Sequence, residues 1–363
     1  MNEKYKFGGF ELAALTVNLI IYKSFTDIPR RFLEEGGSAA FLSALISGAA
    51  AYLVIWFLPV IYNETNTESI FELLEKRFSK AVSALAGLII SAYIILSAAN
   101  ALEGIAVFSI ISAYPSAPFV YIGLFFAVAA VFATLRGMNG IIRVHSLIVP
   151  FCVVITLVLL PSVFKSADIN NLFPVMGKGT LSVFKTAFSN ISYYLDFILI
   201  FLINPFYKSG KGHTKIIRLS GGAGILINLF IILCANLILP QPVSSAIKFP
   251  LYQLMKTVYF GRFFQRIDAI YLFSVSLSAM AFISFSVFLV TCIFRKVFSL
   301  NAGRPLAPTV SAAVLLLALI IYKNTFPSVK ALTGIFEAAA VLLIALLPFL
   351  SVKFYKGGVK NED

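Results

Sequence analysis

Along the chain's 363 residues, apolar runs of about twenty residues follow one another with only short polar connections between them. Each run is close to the ~20 residues that carry a helix across ~30 Å of hydrocarbon. In lipid every backbone N–H and C=O has to be satisfied within the protein, which leaves helices or a closed barrel. The alternating ten-residue strands of a membrane barrel do not occur. The chain therefore reads as an all-α polytopic membrane protein. Its charged fraction, 12%, is about half that of a soluble domain, and its mean hydropathy is +0.93.

Runs bounded by charge, Gly and Pro predict ten spans, at about 9–28, 38–61, 81–111, 117–135, 141–164, 183–207, 215–239, 267–295, 306–323 and 331–352. The opening "MNEKYKFGGFELAALTVNLII" lacks a small-residue cleavage site, so it is expected to be a span and not a signal peptide. Between spans two and three, Ile70, Phe71, Leu73, Leu74 and Phe78 alternate with charges at helical spacing, which predicts a short amphipathic helix at the membrane interface. With the N-terminus inside, inner segments carry 17 Lys and Arg against 11 in outer ones, which favours both termini in the cytoplasm. The net charge of +13 gathers in loops beside the spans; it is a topology signal and no nucleic-acid footprint. Cys152, Cys234 and Cys292 all lie inside apolar runs and read as small buried hydrophobes. No metal-ligand spacing, phosphate loop or catalytic constellation emerges, so neither an enzyme nor a cofactor is expected. "LSGGAG" at 219–224 opens span seven and reads as a close helix-packing surface.

Two spans are interrupted. In "IIYKSFTDIPRRF" the first breaks at Tyr22, Lys23 and Ser24 and resumes near Pro29. The sixth carries Ser189, Asn190, Ser192, Tyr193 and Asp196 in its outer half. If ten spans divide into repeats at about 9–164 and 183–352, these breaks correspond, and paired breaks are the best sequence pointer to a transporter-type site. An unwound stretch leaves backbone groups open, so a half-helix N-terminus can meet a carboxylate and freed carbonyls an ammonium. That chemistry suits a zwitterion such as an amino acid. Lys23 lies past the middle of the bilayer, where an ammonium is expensive unless paired or hydrated; Asp196 is the expected partner across a central cavity. Glu103 and Glu337 also sit in apolar runs, toward their outer ends. Asp27, Arg30 and Arg31 read as an outer-rim charge cluster, and His145 as an interfacial residue. Of the serines in span eight, Ser276 and Ser278 are candidates for a pocket or ion site, although two-residue spacing turns neighbours to different helix faces.

The segments "DIPRRFLEEGGSAAFL", "DINNLFPVMGKGTLSVFK", "FILIFLINPF" and "FPLYQLMKTVYFGRFFQRIDAIYLF" resemble the B subunit of spore germinant receptors, within the amino acid–polyamine–organocation transporter superfamily. The resemblance runs essentially end to end and is most specific around Phe264, Arg266 and Asp268. It implies a five-plus-five inverted repeat of the leucine-transporter type, with discontinuous helices one and six holding a germinant. It also implies work beside a membrane-bound A subunit and a C lipoprotein, in the inner membrane of an endospore. Asp196 falls where relatives often place an acidic residue, and Pro205 matches the family's proline. One departure stands out: Tyr22, Lys23 and Ser24 occupy positions where relatives carry a Gly-polar-Gly triplet. The leading expectation is thus a receptor subunit that binds a small nutrient, an amino acid by preference. The alternatives are a working amino acid or organic-cation transporter, and a structural subunit whose pocket Tyr22 and Lys23 have filled.

Overall fold

The structure is a computed structural model that describes residues 8–26, 28–63, 69–206, 211–241, 247–256, 267–298, 306–323 and 334–344. It is almost wholly helical. Among the described residues, six helical stretches are long and apolar enough to cross a membrane, and three more apolar helices run 10–17 residues.

α1 (Gly9–Ile21) stops where Tyr22–Phe25 tightens into a 3₁₀ turn, and α2 (Ile28–Gly36) resumes with Pro29 in its first turn. Pro is tolerated there because a first-turn N–H has no helical partner to lose. α2 continues, past Gly37 at φ +58, into α3 (Ala40–Asn63), so helix extends further toward the N-terminus than the span expected from 38. The amphipathic α4 (Ile70–Arg77) follows, with Ile70, Phe71 and Leu74 buried against α5 (Lys80–Ser112). Ser79 caps α5, its hydroxyl accepting from the Val82 N–H at 3.2 Å. α6 (Phe119–Leu135) starts directly after Pro118, and α7 (Gly137–Ser162) carries Pro150 and Pro161.

The sixth expected span is two pieces. α8 (Thr180–Ser189) ends at Asn190, and Ile191–Phe206 then winds as a tight 3₁₀ helix. So long a 3₁₀ run is uncommon and marks strain or function. α9 (Lys211–Ile238), the short α10 (Pro250–Met255), α11 (Ile267–Val297), α12 (Leu306–Tyr322) and α13 (Gly334–Ile344) follow among the described residues.

The two interrupted elements meet at the centre. α1 packs on α9 and α7 and touches the Ile191–Phe206 segment, while α11 packs on α5, α6 and α7. Glycine permits the α9 approach: a Cβ at Gly221 would meet Ile55 at 2.9 Å, and one at Gly224 would meet Ile20 at 3.2 Å. The small residues of "LSGGAG" thus let α9 lie close to both α1 and α3. Phe25, Phe32, Phe108, Phe197, Phe201, Phe282 and Phe285 fill the interior, while Leu124, Leu147 and Val154 face outward. Apolar residues on both sides of a helix are what a membrane span requires.

Candidate functional site

The break in α1 places Lys23 opposite the tight segment that follows α8. Its Nζ stands 2.7 Å from Asp196 Oδ2, with the carboxylate side chain at 0% exposure and the lysine at 17%. The two breaks are therefore joined by an ion pair, in the arrangement expected from the sequence. Asp196 is further satisfied by hydroxyls. Tyr22 donates to Oδ2 at 2.5 Å, Tyr93 from α5 donates to Oδ1, and Ser97 Oγ lies 3.5 Å from Oδ1. A buried charge is tolerable when it is both paired and hydrogen-bonded, and Asp196 is both.

The surroundings of Lys23 are aromatic. Its Nζ lies 5.6 Å from the ring centroids of Tyr22 and Tyr193, within cation–π range, and the Arg31 guanidinium carbon stands at the same distance from Tyr193. Tyr22 itself stacks on Phe282 of α11, with centroids 3.7 Å apart and rings 14° from parallel. Below it, Asn18 and Ser278 bind each other: Ser278 Oγ donates to Asn18 Oδ1 at 2.6 Å, and Asn18 Nδ2 donates to the Ser278 carbonyl at 3.3 Å. Ser24 accepts from Asn228 Nδ2 on α9, whose Oδ1 accepts from Tyr194 at 2.9 Å. Tyr271 OH caps the turn by donating to the Phe25 carbonyl at 2.9 Å. One carbonyl freed by the unwinding is thus already taken by the protein.

The expected site residues divide into groups. Tyr22, Lys23 and Asp196 converge, with Tyr193 beside them, and Ser192 lies near Glu337 of α13. Ser24 belongs to the neighbouring Asn228 network. Ser189 and Asn190 hold Glu35 of α2, at 3.1 and 2.7 Å from its Oε2, and so tie α8 to α2. Ser278 reaches the α1 break through Asn18, while Ser276 returns its hydroxyl to the Leu272 carbonyl of its own helix at 2.9 Å. Glu103 is half-buried on α5. His145, expected at the interface, is buried at 0% exposure, with Nδ1 2.9 Å from the Ile141 carbonyl and Phe285 edge-on to its ring. The inward turn of α7 between α1 and α11 is what encloses it. Asp27, Phe264 and Arg266 lie outside the described residues, as does the side chain of Pro205.

Tyr93, Ser97, Asn228 and Phe282 were not singled out from sequence. Tyr93 and Ser97 had a signal: two polar groups at i and i+4 in an apolar helix share one face. Phe282 had none, since an apolar helix rich in aromatics gives no clue to which ring meets a tyrosine.

The fold and the paired breaks define a transporter-type membrane architecture. The structure superposes on that of a Na+-coupled sialic acid symporter in its substrate-bound outward-open state, with TM-score 0.67 and 14% identity, covering 94% of this chain and 79% of that one. It matches MhsT in complex with L-phenylalanine at TM-score 0.64 and 15% identity, covering 97% and 88%. Residues 9–327 match the family model described as spore germination protein, and the chain belongs to that family. Among curated relatives, spore germination protein B2 of Bacillus subtilis (strain 168) is 26% identical over 196 residues, or 53% of this chain and 52% of that protein. Spore germination protein GerQB of Bacillus cereus is 27% identical over 183 residues, covering 49% of each. The chain spans about half the length of the curated relatives it matches.

Proposed function

We propose that this protein is the membrane-embedded subunit of a spore germinant receptor, binding a small nutrient, an amino acid by preference, at the centre formed by the two helix breaks. The observation that carries the reading is the buried Lys23–Asp196 pair joining the two interrupted elements of a transporter-type fold. A ligand entering there meets charge, hydroxyls and aromatic faces in a water-poor setting, where differential contacts with two conformations shift their populations. An A subunit and a C lipoprotein read that shift, in the inner membrane of the endospore, with both termini cytoplasmic and the repeats spanning about 9–164 and 183–352.

The test is equilibrium binding and flux on one preparation. Purified protein in liposomes should bind a nutrient saturably and show no concentrative uptake; uptake that scales with bound nutrient assigns the working transporter instead. A structural-subunit reading has its own support in the stacking of Tyr22 on Phe282 and the engagement of Lys23 by Asp196, which together occupy the centre. Absence of any nutrient binding, together with capture of an A subunit, selects that reading.

A further inference from the structure

A third titratable group stands near the ion pair. Glu337 comes from α13, where Glu337, Ala340 and Ile344 are exposed by 8%, 0% and 0%. Positions i, i+3 and i+7 share one helix face, so this face is the one turned into the bundle. Glu337 lies within electrostatic reach of Lys23, Asp196, Tyr22 and Tyr93. Its Oε1 is nonetheless buried and has no hydrogen-bond partner among the described residues.

Asp196 needs nothing more. Lys23, Tyr22, Tyr93 and Ser97 already surround its two oxygens. Lys23, Asp196 and Glu337 together bring one ammonium and two carboxyl groups to the centre, so one carboxyl stands without an ammonium of its own in this cluster. Arg31, the cation beyond Tyr193, stands over the ring of that tyrosine. A buried carboxylate oxygen left open is costly, and a donor or cation that fills it removes the cost.

We propose that Glu337 is an acceptor subsite of the central site and takes the ammonium group of the ligand. The inference rests on the nutrient-binding reading and gives it a recognised chemistry: a small primary amine. The site already shows how it treats such a group. The Lys23 ammonium is held by one carboxylate and lies 5.6 Å from two tyrosine rings. A second ammonium on Glu337 Oε1 gives that open oxygen the donor it lacks. A ligand offering only a carboxylate would instead meet two carboxylates and a lysine that is already engaged.

The experiment titrates the purified full-length chain in lipid nanodiscs at neutral pH, by calorimetry and thermal shift. The probes are ethylammonium, propionate, L-alanine and sodium chloride at matched ionic strength. Ethylammonium and L-alanine should bind, and propionate and sodium should not. Glu337→Gln should weaken amine binding tenfold or more, while Glu72→Gln, far from the centre, leaves it unchanged. Amine affinity within twofold of wild type in Glu337→Gln overturns the subsite but leaves a nutrient-binding protein. Binding of propionate or sodium, or of L-alanine without ethylammonium, also overturns it. Failure of every probe on the wild type overturns the subsite and the nutrient-binding reading together. If Glu337→Gln does not fold, Glu337→Asp retracts the oxygen and keeps the charge, and unchanged amine affinity there refutes the assignment.

Discussion

Replacing Lys23 by Met removes the ammonium that contacts Asp196 at 2.7 Å and leaves a carboxylate at 0% exposure. Stripping one partner from a buried ion pair costs about 3–5 kcal/mol. Asp196 keeps the hydroxyls of Tyr22, Tyr93 and Ser97, each able to donate to a charged acceptor, so the expected loss lies at the lower end, about 3 kcal/mol. Asp196→Asn should cost more than Lys23→Met. Its amide NH2 brings donors into a ring of donors, and it strands a lysine that is only 17% exposed. The double variant Lys23→Met/Asp196→Asn leaves no charge in the pair and should be less destabilised than the two singles added, by about 2 kcal/mol or more. Reversible denaturation in mixed micelles gives all four corners of the cycle. Additivity within about 0.5 kcal/mol would refute the reasoning, because it would mean that the two groups do not sense one another.

Tyr93→Phe removes one charge-assisted hydrogen bond to Asp196 with little change in volume, and a loss of about 1.5–3 kcal/mol is expected in the same denaturation assay. Gly177 stands at φ +51, and a Cβ there would lie 2.9 Å from the Gly36 carbonyl oxygen; Gly177→Ala should therefore lower the melting temperature, by a cost of about 1–3 kcal/mol. Partial burial raises the pKa of the Glu72 carboxyl, but the hydrogen bond and charge of Lys296 at 2.7 Å outweigh that and hold it below the ordinary glutamate value. The stabilisation is thus present at neutral pH and lost on acidification through the folded-state pKa. Glu72→Gln should flatten that acid limb in a pH series of melts and, for so exposed a pair, change neutral stability by under ~1 kcal/mol.

Much of the fold was legible because the bilayer restricts what a chain can do. Apolar run lengths gave α5 at 81–111 against the observed Lys80–Ser112, and α11 at 267–295 against Ile267–Val297. Both breaks were legible as well: Lys23 could not stay comfortably in a continuous lipid-facing helix, and Ser189, Asn190 and Ser192 compete for backbone bonds. What stayed hidden depends on contacts between residues remote in sequence. Nothing near Ser189 and Asn190 in the chain shows that Glu35, about 155 positions away, binds them. Tyr93 is one tyrosine among 15 until the fold sets it against Asp196. His145 read as interfacial because Arg143 is nearby, and only the inward turn of α7 shows it enclosed.

The short reach from Lys23 to Asp196 also bears on thresholds. A lysine tethered next to its own carboxylate acts as a resident competitor, at an effective concentration on the order of millimolar or above. Any soluble amine contending for Asp196 has to outnumber an opponent that cannot diffuse away. Dilute amines would thereby be refused at that carboxylate, so the proposed ligand would need either abundance or a foothold elsewhere.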